Sequence, residues 1–250
     1  VKALILAAGK GSRLATLPDG ENKCMIRVNG QPLLYYHMLR AVDLQAEQII
    51  IVIGHAGETI KQHFGSYFQH LPISYVWQTE LTGPVSAIDI ASGYLDQDFV
   101  LMLADEYFVH PNHIQMQQLF TQTGLFGLCG IIEGQPPQSI QKTYAVLADD
   151  NGRIYQLTEK PEHPAAGMKG TGLCFLRKEI LQYIPHISAH QQRREKDLPA
   201  LIQQAIDNGH EVHALSCCER FYNLNLFEDC ELLNAIEQAD ISMPERQATS

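Results

Sequence analysis

The sequence predicts an α/β fold: a Rossmann-like, mainly parallel sheet sandwiched by helices, with a small β-rich portion in its second half. Three observations carry that prediction. The apolar run Ala3 to Ala8 has the length of a strand buried on both faces, and it empties into a glycine turn. A second such run, Phe99 to Ala104, ends in Asp105-Glu106. Between them strand-like and helix-like stretches alternate at the spacing of right-handed βαβ crossovers, which build parallel sheets. In such a sheet a ligand sits at the carboxyl ends of the strands.

The elements follow in chain order. Pro32 to Leu44 opens with a proline suited to a first helical turn and carries the apolar spacing of a covered helix. Gln48 to Ile53 is a buried strand, Gly57 to Phe64 a short helix, and Ile73 to Gln78 a further strand. A helix starts at Pro84 and another at Pro111, inside His110-Pro111-Asn112-His113, where no carboxylate or cysteine stands at metal-ligand spacing. Gly124 to Ile132 is a strand, whereas Glu133 to Lys142, with Pro136-Pro137 and three glutamines, reads as an exposed loop that could act as a lid. Tyr144 to Leu147 and Ile154 to Thr158, joined through Asp149-Asp150-Asn151-Gly152, form a hairpin. Lys169 to Leu176 returns to strand, and Asp197 is an acid at the start of a helix reaching Ile206. Glu211 to Leu215 and Phe221 to Leu224 are short strands, Phe227 to Ala239 is a closing helix, and Asp240 to Ser250 is polar.

Composition narrows the function. At 250 residues the chain can form one large domain, taken here as 1–240 with 241–250 as a tail or linker. Its formal charge of -10, from 28 acidic and 18 basic residues, argues against nucleic acid or an anionic membrane surface as partner. Any phosphate site must then be locally basic or supplied with metal. The six cysteines include no C-x-x-C pair, and adjacent Cys217-Cys218 suits neither an ordinary disulfide nor a zinc knuckle. They read as reduced thiols in a cytoplasm. No stretch has the apolar length of a transmembrane helix, and the first apolar run is followed by a glycine turn rather than a cleavage site, so a soluble chain unprocessed by secretion is expected. Position 1 is Val, consistent with a trimmed start or a segment of a longer polypeptide.

The first loop points to a polyphosphate. Gly9 and Gly11 let the backbone take positive φ and approach a phosphate closely, while Lys10, Arg13 and Lys23 bring three cationic heads into a short stretch. It is neither a P-loop, which needs G-x-x-x-x-G-K-S/T, nor a dinucleotide fingerprint, whose third glycine is replaced here by Leu14.

The run L-A-A-G-x-G-S-R-L, followed by Lys23-Cys24-Met25 and Gly30-Gln31-Pro32-Leu33-Leu34, closely resembles the sugar-phosphate nucleotidyltransferases, the glucose-1-phosphate thymidylyltransferase and uridylyltransferase group. The resemblance implies the nucleotide-diphospho-sugar transferase fold, with residues 1–132 mainly nucleotide-binding and 133–240 mainly acceptor-binding. It implies transfer of NMP from an NTP to a sugar 1-phosphate or another phosphorylated small molecule, with Mg²⁺ as cofactor and homo-oligomers as a common assembly. Arg13 would hold the β- and γ-phosphates and Lys23 the α-phosphate; Leu6, Ala8, Gly9 and Gly11 would line the nucleotide. Gln78 to Ala87 resembles the family's Q-x-x-x-x-G-x-x-x-A, in which Gln78 and Gly83 would read a pyrimidine; a carboxamide offers both the donor and the acceptor that an imide edge requires.

Asp105 matches the metal-binding aspartate of L-x-x-D, and a carboxylate at the end of a buried parallel strand suits that role. Glu159-Lys160-Pro161 resembles the E-K-P that binds acceptor hydroxyls and phosphate; Tyr144-Ala145 stands where many members have Tyr-Gly, and Gly172 lies in the glycine segment beside the sugar. Ala145 keeps the amide and adds a methyl, which bears on substrate choice. Asn223 falls on the second metal aspartate of W-x-D-x-G-T-P-E-D, with Asn225 as its rival; an asparagine still offers an oxygen to a hard cation. Gln78 with Gly83 favours UTP or dTTP. The alternatives are a cytidylyltransferase acting on a phosphorylated alcohol, which Lys23-Cys24-Met25 also suits, and a non-catalytic nucleotide-sugar sensor, which Asn223 would suit. A GT-A glycosyltransferase usually carries D-x-D here, and position 107 is Tyr.

Overall fold

β1 (Lys2–Ala7) lies at the centre of the sheet because Ala3, Leu4 and Ile5 are fully buried and apolar on both faces, the pattern of a strand with parallel neighbours on either side. The computed structural model describes residues 1–9 and 22–224. Gly11, Arg13, Asn225 and the helix expected over Phe227 to Ala239 lie outside the described residues.

Beyond a helical turn at Lys23–Met25 come the small ladder of β2 (Arg27–Val28) and β3 (Gln31–Pro32), then α1 (Leu33–Asp43) and β4 (Ile49–Ile53). α1 buries Leu33, Leu34, His37, Met38 and Ala41, one helical face. α2 (Gly57–Phe64), the short β5 (Tyr67–Phe68) and β6 (Leu71–Trp77) follow. α3 (Pro84–Ala91) begins with proline in its first turn, where no backbone N–H is needed. β7 (Phe99–Leu103) continues into β8 (Glu106–Val109), and α4 (His113–Thr123) starts two residues later than Pro111. β9 (Gly127–Gln135), the short α5 (Pro137–Ile140), β10 (Tyr144–Ala148), β11 (Ile154–Glu159), β12 (Gly167–Leu176), α6 (Leu198–Asp207), β13 (Val212–Ser216) and β14 (Arg220–Asn223) complete the described chain.

The parallel strands stand in the order β7, β1, β4, β6. The chain steps outward from β1 through β4 to β6 and then returns to β7 on the other side of β1, so the direction of winding reverses between β1 and β7. That reversal opens a crevice at the carboxyl ends of the two strands. Alternate residues feed two cores: Leu4, Ile50, Val52 and Leu101 pack with α3 and α6, while Ala3, Ile5, Ile51 and Met102 pack with α1, α2 and α4.

β12 joins the parallel strands to the β-rich half. One edge of β12 pairs with β10 at Met168 and Lys169 and with β7 from Cys174 onward, and the other edge pairs with β9, which carries β13. Glu133 to Lys142, expected as an exposed loop, is ordered instead: β9 runs on to Gln135, which pairs with Gly167, and α5 buries Ile140. Backbone pairing with β12 overrides the polar composition there. Among the described residues no helix is long and apolar enough to cross a membrane.

Candidate active site

The crevice between β1 and β7 is a cleft of about 450 Å³. Its floor is the end of β1, from Leu6 to Gly9, and the turn Leu103-Ala104-Asp105 after β7; its sides are Asn22, Lys23 and Cys24, the loop carrying Gln78, Leu81, Gly83 and Pro84, and Glu195. Leu6, Ala8, Gly9, Lys23, Gln78, Gly83 and Asp105, each expected to act on the nucleotide or the metal, thus line one cavity.

The Lys23 ammonium lies 2.9 Å from Asp105 Oδ2, with the lysine side chain 11% exposed and the aspartate 35%. Asn22 fixes the turn that carries Lys23. Its amide nitrogen donates to the carbonyls of Ala7 and His55 at 3.0 and 2.8 Å, and its Oδ1 accepts from the Cys24 amide at 3.0 Å. One buried side chain therefore ties the lysine turn to the end of β1. The local signal was an asparagine just ahead of a helical turn, a preferred capping residue.

On the opposite wall the Gln78 amide donates to the Gly83 carbonyl at 3.4 Å. Gly83 has φ +101°, and a Cβ there would lie 2.7 Å from both the backbone N and O of Lys196. Glycine is required on both counts. Lys196 N–H donates to Thr82 O and Lys196 O accepts from Val85 N–H, so the 193–197 segment is strapped to this loop, with Glu195 in the cleft. Nothing local in the sequence marks Glu195 or Lys196, because the contact joins segments far apart in the chain.

Tyr144, Glu159, Lys160, Gly172 and Asn223 do not line this cleft. Glu159 and Lys160 end β11, 3.4 Å apart, with Lys160 held at φ +42°. Burial raises the Glu159 carboxyl above its ordinary pKa, the Lys160 ammonium opposes that shift, and Asp197 adds to it. Asp197 in turn is ion-paired to Arg193, so the strap that puts Glu195 into the cleft also reaches the Glu159-Lys160 pair. The Tyr144 ring is buried against Gly170, where a Cβ would lie 1.9 Å from it, and its hydroxyl donates to Thr171 O at 2.7 Å.

Gly172 packs on Leu103 and gives its N–H to Glu106, whose two oxygens lie 2.9 and 2.8 Å away. Glu106 is 2% exposed, and burial, with Asp105 beside it, pushes its carboxyl well above the usual range. The sequence marked Glu106 only as the neighbour of Asp105. Asn223 pairs with Glu106 across β14 and β8, and Leu224 N–H donates to Asp105 O at 2.9 Å. Asp105, in the turn ahead of β8, and Asn223, on the paired β14, are thus brought near each other. Among the described residues no three His, Cys, Asp or Glu side chains gather as a metal cluster. His110 pairs with Glu219 and His113 with Asp43.

The family model described as Nucleotidyl transferase matches residues 2–220. The chain is 29% identical to the UTP–glucose-1-phosphate uridylyltransferase AglF of Haloferax volcanii, over 86% of this chain and 87% of that protein. It is 28% identical to a glucose-1-phosphate thymidylyltransferase of Streptomyces antibioticus, over 86% of this chain and 60% of that one. It is 27% identical to the bifunctional protein GlmU of Methanocaldococcus jannaschii, over 82% of this chain but 46% of that protein, so it spans less than two thirds of these two longer relatives. A crystal structure of UDP-glucose pyrophosphorylase complexed with UDP-glucose superposes with a TM-score of 0.84 at 18% identity, covering 96% of this chain and 98% of that one, which establishes the fold.

Proposed function

The chain belongs to the nucleotidyl transferase family, and on that premise we propose that it transfers a uridylyl or thymidylyl group from UTP or dTTP to a sugar 1-phosphate, forming a nucleotide sugar and pyrophosphate. An oxygen of the acceptor phosphate attacks the α-phosphorus in line, a new P–O bond forms, and the bond to the β-phosphate breaks. The acceptor is already ionised, so the protein has no proton to remove; it positions the reactants and neutralises charge.

The observation that carries this reading is that Gln78, Gly83, Lys23 and Asp105 line one cleft of about 450 Å³, with Lys23 ion-paired to Asp105. In it Gln78 and the Gly83 backbone orient the pyrimidine, Leu6, Ala8 and Gly9 pack along the nucleoside, and Lys23 takes the α-phosphate. Arg13 and Gly11 are assigned to the remaining phosphates on their positions in the sequence. Glu159 and Lys160 take the acceptor, with Tyr144 and Gly172 forming its wall; the strap from Arg193 to Asp197 supports this, because its Glu195 lines the cleft while its Asp197 and Arg193 act electrostatically on Glu159.

Asp105, from the turn ahead of β8, and Asn223, from the adjoining β14, would supply hard oxygen donors, a set that fits Mg²⁺, which is commonly held by one or two protein oxygens plus phosphates and water. When bound, the ion would neutralise charge on the phosphates. The buried unpaired thiols at Cys24, Cys129, Cys174 and Cys217 support a reducing, cytoplasmic setting.

The test is pyrophosphate release with Mg²⁺ across UTP, dTTP, CTP, GTP and ATP, each combined with several sugar 1-phosphates and phosphoalcohols. Release confined to UTP or dTTP with one sugar 1-phosphate is expected. Release with CTP and a phosphoalcohol would replace this reading with a cytidylyltransferase, and nucleotide-sugar binding without release would replace it with a sensor.

A further inference from the structure

We infer that Glu106 is a positioning residue that holds the acceptor wall of the cleft in register with the Asp105 turn. The inference rests on the transfer reaction proposed above. Its starting point is a break in the β9–β12 ladder. Gly170 pairs with Ile131 and Cys174 with Cys129, so four steps along β12 are matched by two along β9. On its other edge β12 changes partner over the same residues, from β10 up to Lys169 to β7 from Cys174. The bulge therefore sits at the fork of the sheet, where the turn after β7 leaves with Asp105. Bulges of this kind re-aim the backbone next to functional sites.

At the bulge, side chains take part in four contacts. Thr171 O accepts from the Tyr144 hydroxyl, Leu173 N–H donates to Thr171 Oγ1, and the Thr171 hydroxyl donates to Gly130 O. Gly172 N–H goes to the Glu106 carboxylate. The first and third contacts join β12 to its neighbours β10 and β9 in the β-rich half, and the second lies within β12. Only the fourth crosses from that half to the turn that carries Asp105. Gly172 also lies directly against Leu103, which lines the cleft, so the bulge forms the back of the cavity wall.

A buried carboxyl is costly unless its hydrogen bonds are made, and the Gly172 N–H supplies one to Glu106. Lys169 lies close enough to Glu106 to interact with it electrostatically, with its ammonium 4.6 Å from the Phe221 ring centroid and 3.2 Å from Ser139 Oγ. Phe221 is on β14, two positions before Asn223. Glu106 thus meets β12 through Gly172 and faces β14 through Lys169, the two strands that would flank the acceptor and the metal.

The experiment compares Glu106→Ala, Glu106→Asp and Glu106→Gln with the wild type. Two readouts are taken: hydrogen exchange at the Gly172 amide, and KM for each substrate with kcat. Asp keeps a carboxyl but falls one methylene short, whereas Gln keeps an oxygen at the same reach. Ala and Asp should speed Gly172 exchange and raise acceptor KM, each by about tenfold, the cost of leaving one buried N–H without its partner. KM for the NTP should stay within about twofold, because the Gln78, Gly83 and Lys23 walls are untouched, and Gln should restore most of both losses. Unchanged Gly172 exchange in Ala and Asp overturns the inference, and so does a lower melting temperature with both KM values unchanged. If the wild type itself turns over no substrate pair, the proposed reaction fails and the exchange data alone decide the clamp.

Discussion

Lys23 and Asp105 meet at 2.9 Å in the cleft, one from the turn after β1 and the other from the turn after β7. The pair links the two strand ends between which the winding of the sheet reverses, and it puts the expected phosphate cation on the expected metal carboxylate. Lys23→Met should lower pyrophosphate release by about 10²-fold, the scale of a lost transition-state donor. Its melting temperature should move by no more than roughly 4 °C, since a partly exposed ion pair contributes about 1 kcal/mol or less. Turnover within about twofold of wild type would remove Lys23 from the reaction.

Gly83→Ala tests the base-reading loop. The new methyl would lie 2.7 Å from two backbone atoms of Lys196, at φ +101°. Because the contact is with backbone, relief requires the loop and the 193–197 strap to separate. The expected cost is about 1–3 kcal/mol of stability, read from urea or thermal unfolding, together with a higher KM for the NTP. A variant with wild-type stability and KM would show that the loop moves freely, against the packing described here.

Much of this site was legible before any coordinates. Two buried apolar runs located β1 and β7, and the residues after them, Gly9 and Asp105, fell in the cleft because parallel strands present their carboxyl ends to ligands. The Gln78 and Gly83 pair was legible because both lie in one short loop. Glu195 and Lys196 were not, since the strap reaches Gly83 only through tertiary folding. The role of Glu106 depends on a bulge in β12, and a bulge is a property of strand register, which the side chains around Gly172 do not announce. The same cause hid the last residues of β9, whose polar side chains look like a loop although their backbone pairs with β12.

Gln78 offers a sharper test of base selection than removal alone. Its carboxamide can donate to O4 and accept from N3–H of uracil or thymine, whereas cytosine presents an amino donor in place of O4. Gln78→Glu loses the donor and keeps the acceptors. It should raise KM for UTP or dTTP by about tenfold, the worth of one hydrogen bond, and shift relative kcat/KM towards CTP. Equal losses for all pyrimidines would mean that Gln78 supports the loop without reading the base.

The last prediction concerns acid stability and the histidines under β8. Burial pushes the His37 imidazole well below its ordinary range, and the neighbouring Arg40 guanidinium adds to that; His113 is lowered by the same two causes, against the pull of Asp43. A depressed imidazole binds fewer protons in the folded chain than in the unfolded one, where its pKa is about 6.5. Its contribution to stability is therefore complete above about 6.5 and is lost as pH falls below that value. Glu106 and Glu159, raised by burial, act in the opposite direction, because protonation on acidification favours their folded state. The informative quantity is accordingly the difference between wild type and His37→Met, measured as unfolding free energy from pH 7.5 down to 5. That difference should be flat above about 6.5 and then change in favour of the variant by up to about 1.4 kcal/mol per pH unit, the limit for one proton. Parallel curves across the whole range would mean that His37 charges as readily in the folded protein as in the unfolded chain.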